Sequence, residues 1–231
     1  MTVKKGQMIE VEVMDLALGG KGLTRIDGMA VFIDQAVPGD HVQARIIKKR
    51  KQYAEARVVQ LMRPSKDRVP APCEYSGFCG GCKWQFLNYD KQLHYKRSHV
   101  VESLEHIGGL QDPIVHPTLP ADPIFGYRNK MDFSFTDLRY LTPDEMNIEA
   151  GDHKKPLDFA LGFHAPGCFS KAIDIDHCDL STEEMNITLN TVRKFCLEHK
   201  DELPIYSTHS HTGELRNLVV RHGGHTGEFM V

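Results

Sequence analysis

The sequence predicts an α+β protein: an OB-like β-barrel at the N-terminus, followed by an α/β central domain with a mostly antiparallel sheet. Three observations carry that reading. The first sixty or so residues alternate apolar and polar side chains in short runs cut by glycine turns. Two later stretches switch to helical spacing, and strand-like runs follow each of them. Between the two patterns lies a glycine-rich loop with three closely spaced cysteines, Cys73, Cys79 and Cys82, expected to bind a metal cluster. The boundary is expected after Arg63, with 1–63 as the barrel and 64–231 as the central domain.

The barrel strands follow from the alternation. Ile9, Val11 and Val13 alternate with Glu10, Glu12 and Met14. The turn Gly19-Gly20-Lys21-Gly22 follows, and Met29–Ile33 makes a second strand after Gly28. Pro38-Gly39-Asp40 is a turn signal, with alternation resuming through His41–Ile47 and Ala54–Val59. An OB-like barrel is a common platform for oligonucleotides. The basic run Lys48, Lys49, Arg50 and Lys51 is then the hairpin between the last two strands, placed to meet phosphates.

Beyond the Arg63–Pro72 connector and the cysteine loop, Asn88 can cap a helix running to about Ile107. Leu93, Val100, Val101, Leu104 and Ile107 would share its buried face, and Gly108-Gly109 would close it. Strands are expected near Arg128–Thr136 and Phe159–His164, with a polar, exposed excursion over Asp137–Asp158 between them. Ser181, with Glu184 three residues on, reads as a capping box for a second helix. Its buried stripe would be Met185, Leu189, Val192 and Cys196. Leu215–Arg221 and Thr226–Val231 alternate like a hairpin.

With 41% hydrophobic and 26% charged residues, the chain can bury an ordinary core and is not compositionally disordered. Its apolar runs are only a few residues long, and its start does not resemble a signal peptide. A cytoplasmic monomer without a membrane partner is expected. The net charge of −3 carries no global preference for a polyanion, but its distribution does. Arg45, Lys48, Lys49, Arg50, Lys51, Arg57, Arg63, Lys66 and Arg68 cluster, opposed locally by Glu55 and Asp67, which implies an oriented basic face for RNA.

The cysteine spacing, Cys73-x5-Cys79-x2-Cys82, brings three soft ligands onto one glycine-rich turn. Zinc normally uses two tight C-x2–4-C pairs, and this loop holds one. An iron–sulfur cluster is therefore favoured over zinc. A fourth ligand is open among Cys168, Cys178 and Cys196. Cys196 sits on the apolar face of a helix, Cys168 lies in a turn, and Cys178 follows the strand-like run Ile173–Asp176. Spacing favours Cys178.

Taken in order, these motifs resemble the bacterial RNA uracil-C5-methyltransferases that act on ribosomal RNA. The resemblance lies in a TRAM-like segment from Gly6 to about Arg63, the C-x5-C-G-x-C loop at Cys73–Cys82, and Trp84-Gln85-Phe86. It continues through Tyr127-Arg128-Asn129-Lys130, Leu161-Gly162-Phe163-His164, Asp174-Ile175-Asp176-His177-Cys178, Leu215–Arg221 and Thr226-Gly227-Glu228. It implies a structural 4Fe–4S cluster held by Cys73, Cys79, Cys82 and Cys178. It also implies methyl transfer from S-adenosylmethionine to uracil C5 of 23S rRNA, after thiolate attack at C6 on a base drawn out of its stack.

Within that scheme Arg128, Lys130 and Arg216 are expected RNA contacts beside Lys48–Lys51, with Tyr127 a weaker stacking candidate and Phe133 expected to pack in the core rather than to stack. Arg128 and Lys130 are expected on one face of a strand. The Asp137–Asp158 stretch is longer than the family pattern. The family's S-adenosylmethionine-binding half, with its catalytic cysteine and base, has no counterpart here. The expectation is therefore an RNA-presenting portion whose own standing as an enzyme is uncertain, activity being assigned to the parent family. The alternative is a non-enzymatic RNA-binding module with a structural iron–sulfur or zinc site. A radical S-adenosylmethionine enzyme is disfavoured, because those use C-x3-C-x2-C.

Overall fold

A computed structural model describes residues 3–149, 151–207 and 209–231. The chain divides into two compact units, one of residues 1–72 and 82–120, the other of residues 73–81 and 121–231.

The first unit is a six-stranded sheet with one long helix. Its strands are β1 (Met8–Glu12), β2 (Asp15–Leu16), β3 (Gly22–Ile26), β4 (Met29–Asp34), β5 (His41–Lys49) and β6 (Tyr53–Arg63). They lie in the order β1-β5-β6-β4-β3-β2, antiparallel except where β4 meets β6. Side chains of alternate residues turn inward, so Val31 and Ile33, Val42, Ala44 and Ile46, and Ala54 and Ala56 share one core with Ile9 and Val13. The expected barrel is not closed. No ladder joins β1 to β2 among the described residues. The chain instead bends at Val13 and Met14, whose N–H groups donate to Asp40 O and Leu23 O.

Helix α1 (Tyr89–His106) belongs to this unit. Asn88 caps it as expected, its side chain accepting from Asp90 N at 3.0 Å. The expected buried stripe does not form: Val100 and Ile107 are exposed, and the buried residue is His99. Its Nε2 lies 2.6 Å from Leu16 O, and its ring meets Trp84 edge-on. The helix thus docks by a polar anchor and an aromatic patch, where Trp84, Phe86 and Tyr95 pack on Leu16, Val37 and Leu87.

The second unit is a five-stranded antiparallel sheet, with β7 (Lys130–Thr136), β8 (Ala160–His164), β9 (Ala172–Asp174), β10 (Asn217–His222) and β11 (Phe229–Met230) in the order β11-β10-β7-β8-β9. Helix α2 (Glu183–Glu198) supplies Met185, Leu189 and Cys196 to a core shared with Met131, Phe133, Phe135, Leu161, Ile173, Leu218 and Val220. Its N-cap is Thr182, one residue after the expected Ser181. The 137–158 excursion is pinned rather than fully exposed: Arg139 is buried and ion-paired to Glu145, and Tyr140 N donates to Ala172 O at 2.8 Å.

Candidate functional site

In the second unit, the loop 73–81 packs through Tyr75, Phe78 and Cys79 onto the sheet core. Tyr75 Oη accepts from Asp176 N at 3.1 Å, which ties this loop to the turn carrying Cys178. Gly80 N donates to His164 O at 3.2 Å. A Cβ at Gly80 would sit 2.9 Å from that carbonyl, so glycine permits the close approach. Burial pushes the Cys73 thiol up to about 11, helped by negative charge at Asp179, Cys178 and Cys79. Cys79 and Cys178 therefore each lie within electrostatic reach of Cys73.

The turn bearing Cys178 is held by α2. Asn186 is buried, its Oδ1 accepting from Cys178 N at 2.9 Å and its Nδ2 donating to Cys178 O at 3.4 Å. Asn190 Nδ2 donates to Asp176 O at 2.8 Å. Arg193, also buried, donates to Asp174 Oδ1 at 3.0 Å, to Leu161 O at 3.1 Å and to Ile175 O. Sequence reasoning missed all three. Their signal was present: polar residues at 186, 190 and 193 run in helical spacing beside the apolar stripe.

Of the other candidate ligands, Cys196 is buried in the α2 core, and Cys168 packs at the edge of the same core. His177 pairs with Asp179 at 3.2 Å. Cys82 falls within the first unit. Among the described residues, no three His, Cys, Asp or Glu side chains already stand in an ion-holding arrangement.

The expected RNA contacts divide between the units. Lys48 and Lys49 end β5, Arg50 and Lys51 form the turn, and all four are exposed. Lys48 is held back by Glu55, Nζ to Oε1 2.8 Å, while Lys21 takes Oε2 at 2.7 Å. In the second unit Tyr127, Arg128, Lys130 and Arg216 are exposed. Arg128 lies just ahead of β7, its N–H donating to Leu180 O at 2.9 Å, so only Lys130 belongs to the strand proper. Lys130 pairs with Asp132 at 2.7 Å and faces Arg221 across the ladder. Arg216 lies 5.2 Å over the Tyr206 ring. Phe133 is fully buried, the core packing expected of it.

Residues 2–59 match the TRAM domain family. Over 99% of its length the chain is 43% identical to an uncharacterized RNA methyltransferase of Chlorobaculum tepidum, covering 47% of that protein. It is 34% identical, over 96% of the chain, to one of Porphyromonas gingivalis, covering 47% of it. The chain spans about half the length of the curated relatives it matches. Among solved structures it resembles the Pyrococcus abyssi tRNA (uracil-54, C5)-methyltransferase in complex with S-adenosyl-L-homocysteine. That match has a TM-score of 0.60 and 26% identity, over 96% of this chain and 44% of that one.

The expectation that left this chain's standing as an enzyme uncertain is thereby corrected, because the likeness to methyltransferases runs along 99% of it and not along a binding module alone. With a TRAM match at residues 2–59 and this likeness beyond it, the chain is similar to RNA methyltransferases along nearly its whole length.

Proposed function

We propose that this chain serves the methylation of RNA at uracil C5, with S-adenosylmethionine as methyl donor and 23S ribosomal RNA as substrate. The observation that carries the reading is the shared fold and 26% identity with a tRNA uracil-C5-methyltransferase. The ribosomal choice rests on the spacing of the cysteine loop and its neighbouring motifs. S-adenosylmethionine supplies the methyl group. The residues of this chain handle the RNA. Lys49, Arg50 and Lys51 neutralise phosphates at an exposed hairpin, with Lys48 partly withheld by Glu55. In the other unit Arg128, Lys130 and Arg216 take phosphates, and Tyr127, 56% exposed, offers a ring for an unstacked base.

Cys73, Cys79, Cys82 and Cys178 are proposed to hold a 4Fe–4S cluster. The chemistry of the donors supports it: Cys79 and Cys178 raise the cost of ionising Cys73, and a cation is what relieves that. The cluster's part is structural, tying the loop 73–81 to the turn at Cys178.

The test is the RNA of cells with the gene intact or disrupted, digested and mapped for 5-methyluridine by mass spectrometry. Loss from one uridine of 23S rRNA is expected. Loss from tRNA alone would move the substrate assignment, and no loss from any RNA would sink the activity.

A further inference from the structure

The outward face of the first sheet carries an arrangement that the hairpin lysines do not account for. Arg45 on β5 stands directly opposite Arg57 on β6, and both are exposed. Like charges directly opposed across an antiparallel pair are destabilising. No carboxylate among the described residues pairs with either guanidinium. Asp34 is the register neighbour of Arg57 on β4, but its carboxylate is engaged by Lys21 at 3.4 Å. Two residues back along β6, on the same face, Glu55 has both oxygens occupied by Lys21 and Lys48.

Beside Glu55 in the register lies Phe32 of β4, and its ring meets Tyr53 of β6 edge-on with centroids 5.8 Å apart. Both rings are partly exposed, on a sheet face where polar residues are the rule. Successive same-face positions on a strand are roughly 7 Å apart. That spacing suits the reach from a nucleotide's phosphate to its base.

We propose that this face binds one unstacked nucleotide of single-stranded RNA, with Arg45 and Arg57 sharing its phosphate and Phe32 and Tyr53 taking its base. The pairing of a cation couple with two aromatic rings, Phe32 one same-face step along and Tyr53 two, is what selects a nucleotide over a free anion. The filled carboxylates of Glu55 and Asp34 leave the face net positive. This rests on the RNA-handling reading and assigns it a second contact, separate from the Lys49–Lys51 turn.

The experiment is a fluorescence-anisotropy titration of the whole chain with a labelled oligouridylate at several salt concentrations. Phe32→Ala should weaken binding about tenfold with an unchanged salt slope, and Phe32→Trp should restore it. Arg45→Gln should lower the salt slope by about 0.7, one single-strand phosphate contact, and raise the melting temperature without RNA. Tyr53→Leu provides the same base-stacking test should Phe32→Ala not fold. Wild-type binding that these variants leave untouched would overturn this inference alone. No binding of oligouridylate by the wild-type chain would overturn the RNA-handling reading with it.

Discussion

Glu55 shows how one residue sets the charge that the basic face presents. Hydrogen bonds from Lys21 and Lys48 hold its carboxyl down to about 2, against an ordinary value of 4.5. Its ion pairs therefore stabilise fully above pH 4.5 and lose that contribution as the pH falls towards 2. The two lysines keep 34% and 45% of their side-chain surface, so the pairs are worth surface energies, about 1 kcal/mol in sum. Glu55→Gln should lower stability by about that amount at pH 7 and flatten the acid limb between pH 4.5 and 2. Denaturant titrations across pH measure both, and an unchanged acid limb would contradict the assignment. Arg68 makes the opposite point. It counts in the basic cluster of the sequence, yet it points inward to Asp40, whose side chain is fully buried and lies 2.7 Å away. A linear charge run does not reveal which members carry a buried partner.

At the scale of elements, α2 organises the cysteine turn. Asn186 satisfies both backbone groups of Cys178, and an unsatisfied buried polar group costs about 1–3 kcal/mol. Asn186→Leu, close in volume, should therefore lower the melting temperature. It should also reduce iron bound per chain in protein purified without oxygen, while Asn190→Ala, on an exposed contact, should do less. Equal iron content in both variants would separate α2 from the cluster. Strand periodicity made the sheets legible: β4, β5, β6, β7, β8 and β10 fall close to the alternating runs. What escaped were the short strands β2 and β3, one of two residues and one masked by the glycine turn ahead of it. The α1 stripe failed for a physical reason. Apolar residues at helical spacing bury only where a core awaits them, and α1 docks instead through His99 on Leu16 O. The cysteines and the hairpin lysines were visible as types and spacings. Their supports, Tyr75, Asn186 and Arg193, were not, because partners 101, 8 and 19 residues apart in sequence meet only once the chain is folded.

At the scale of the whole molecule, a net charge of −3 means that long-range attraction cannot hold RNA, so affinity must come from local faces. That makes the salt dependence of binding a count of the phosphates those faces neutralise. Replacing Lys49, Arg50 and Lys51 with alanine should weaken binding to all RNAs alike, because a turn of cations contacts phosphates and reads no base. The slope of log K against log salt should become shallower by about 2, at roughly 0.7 per single-strand contact. Lys48→Ala should change it less, since Glu55 already holds that ammonium at 2.8 Å. Adding Glu55→Gln would release Lys48 to the RNA and steepen the slope again, a change of sign that a merely structural hairpin would not produce. Parallel titrations of these variants with one unstructured RNA decide the matter. A slope insensitive to Lys49–Lys51 would move the phosphate contacts to the Arg45–Arg57 face and to Arg128, Lys130 and Arg216.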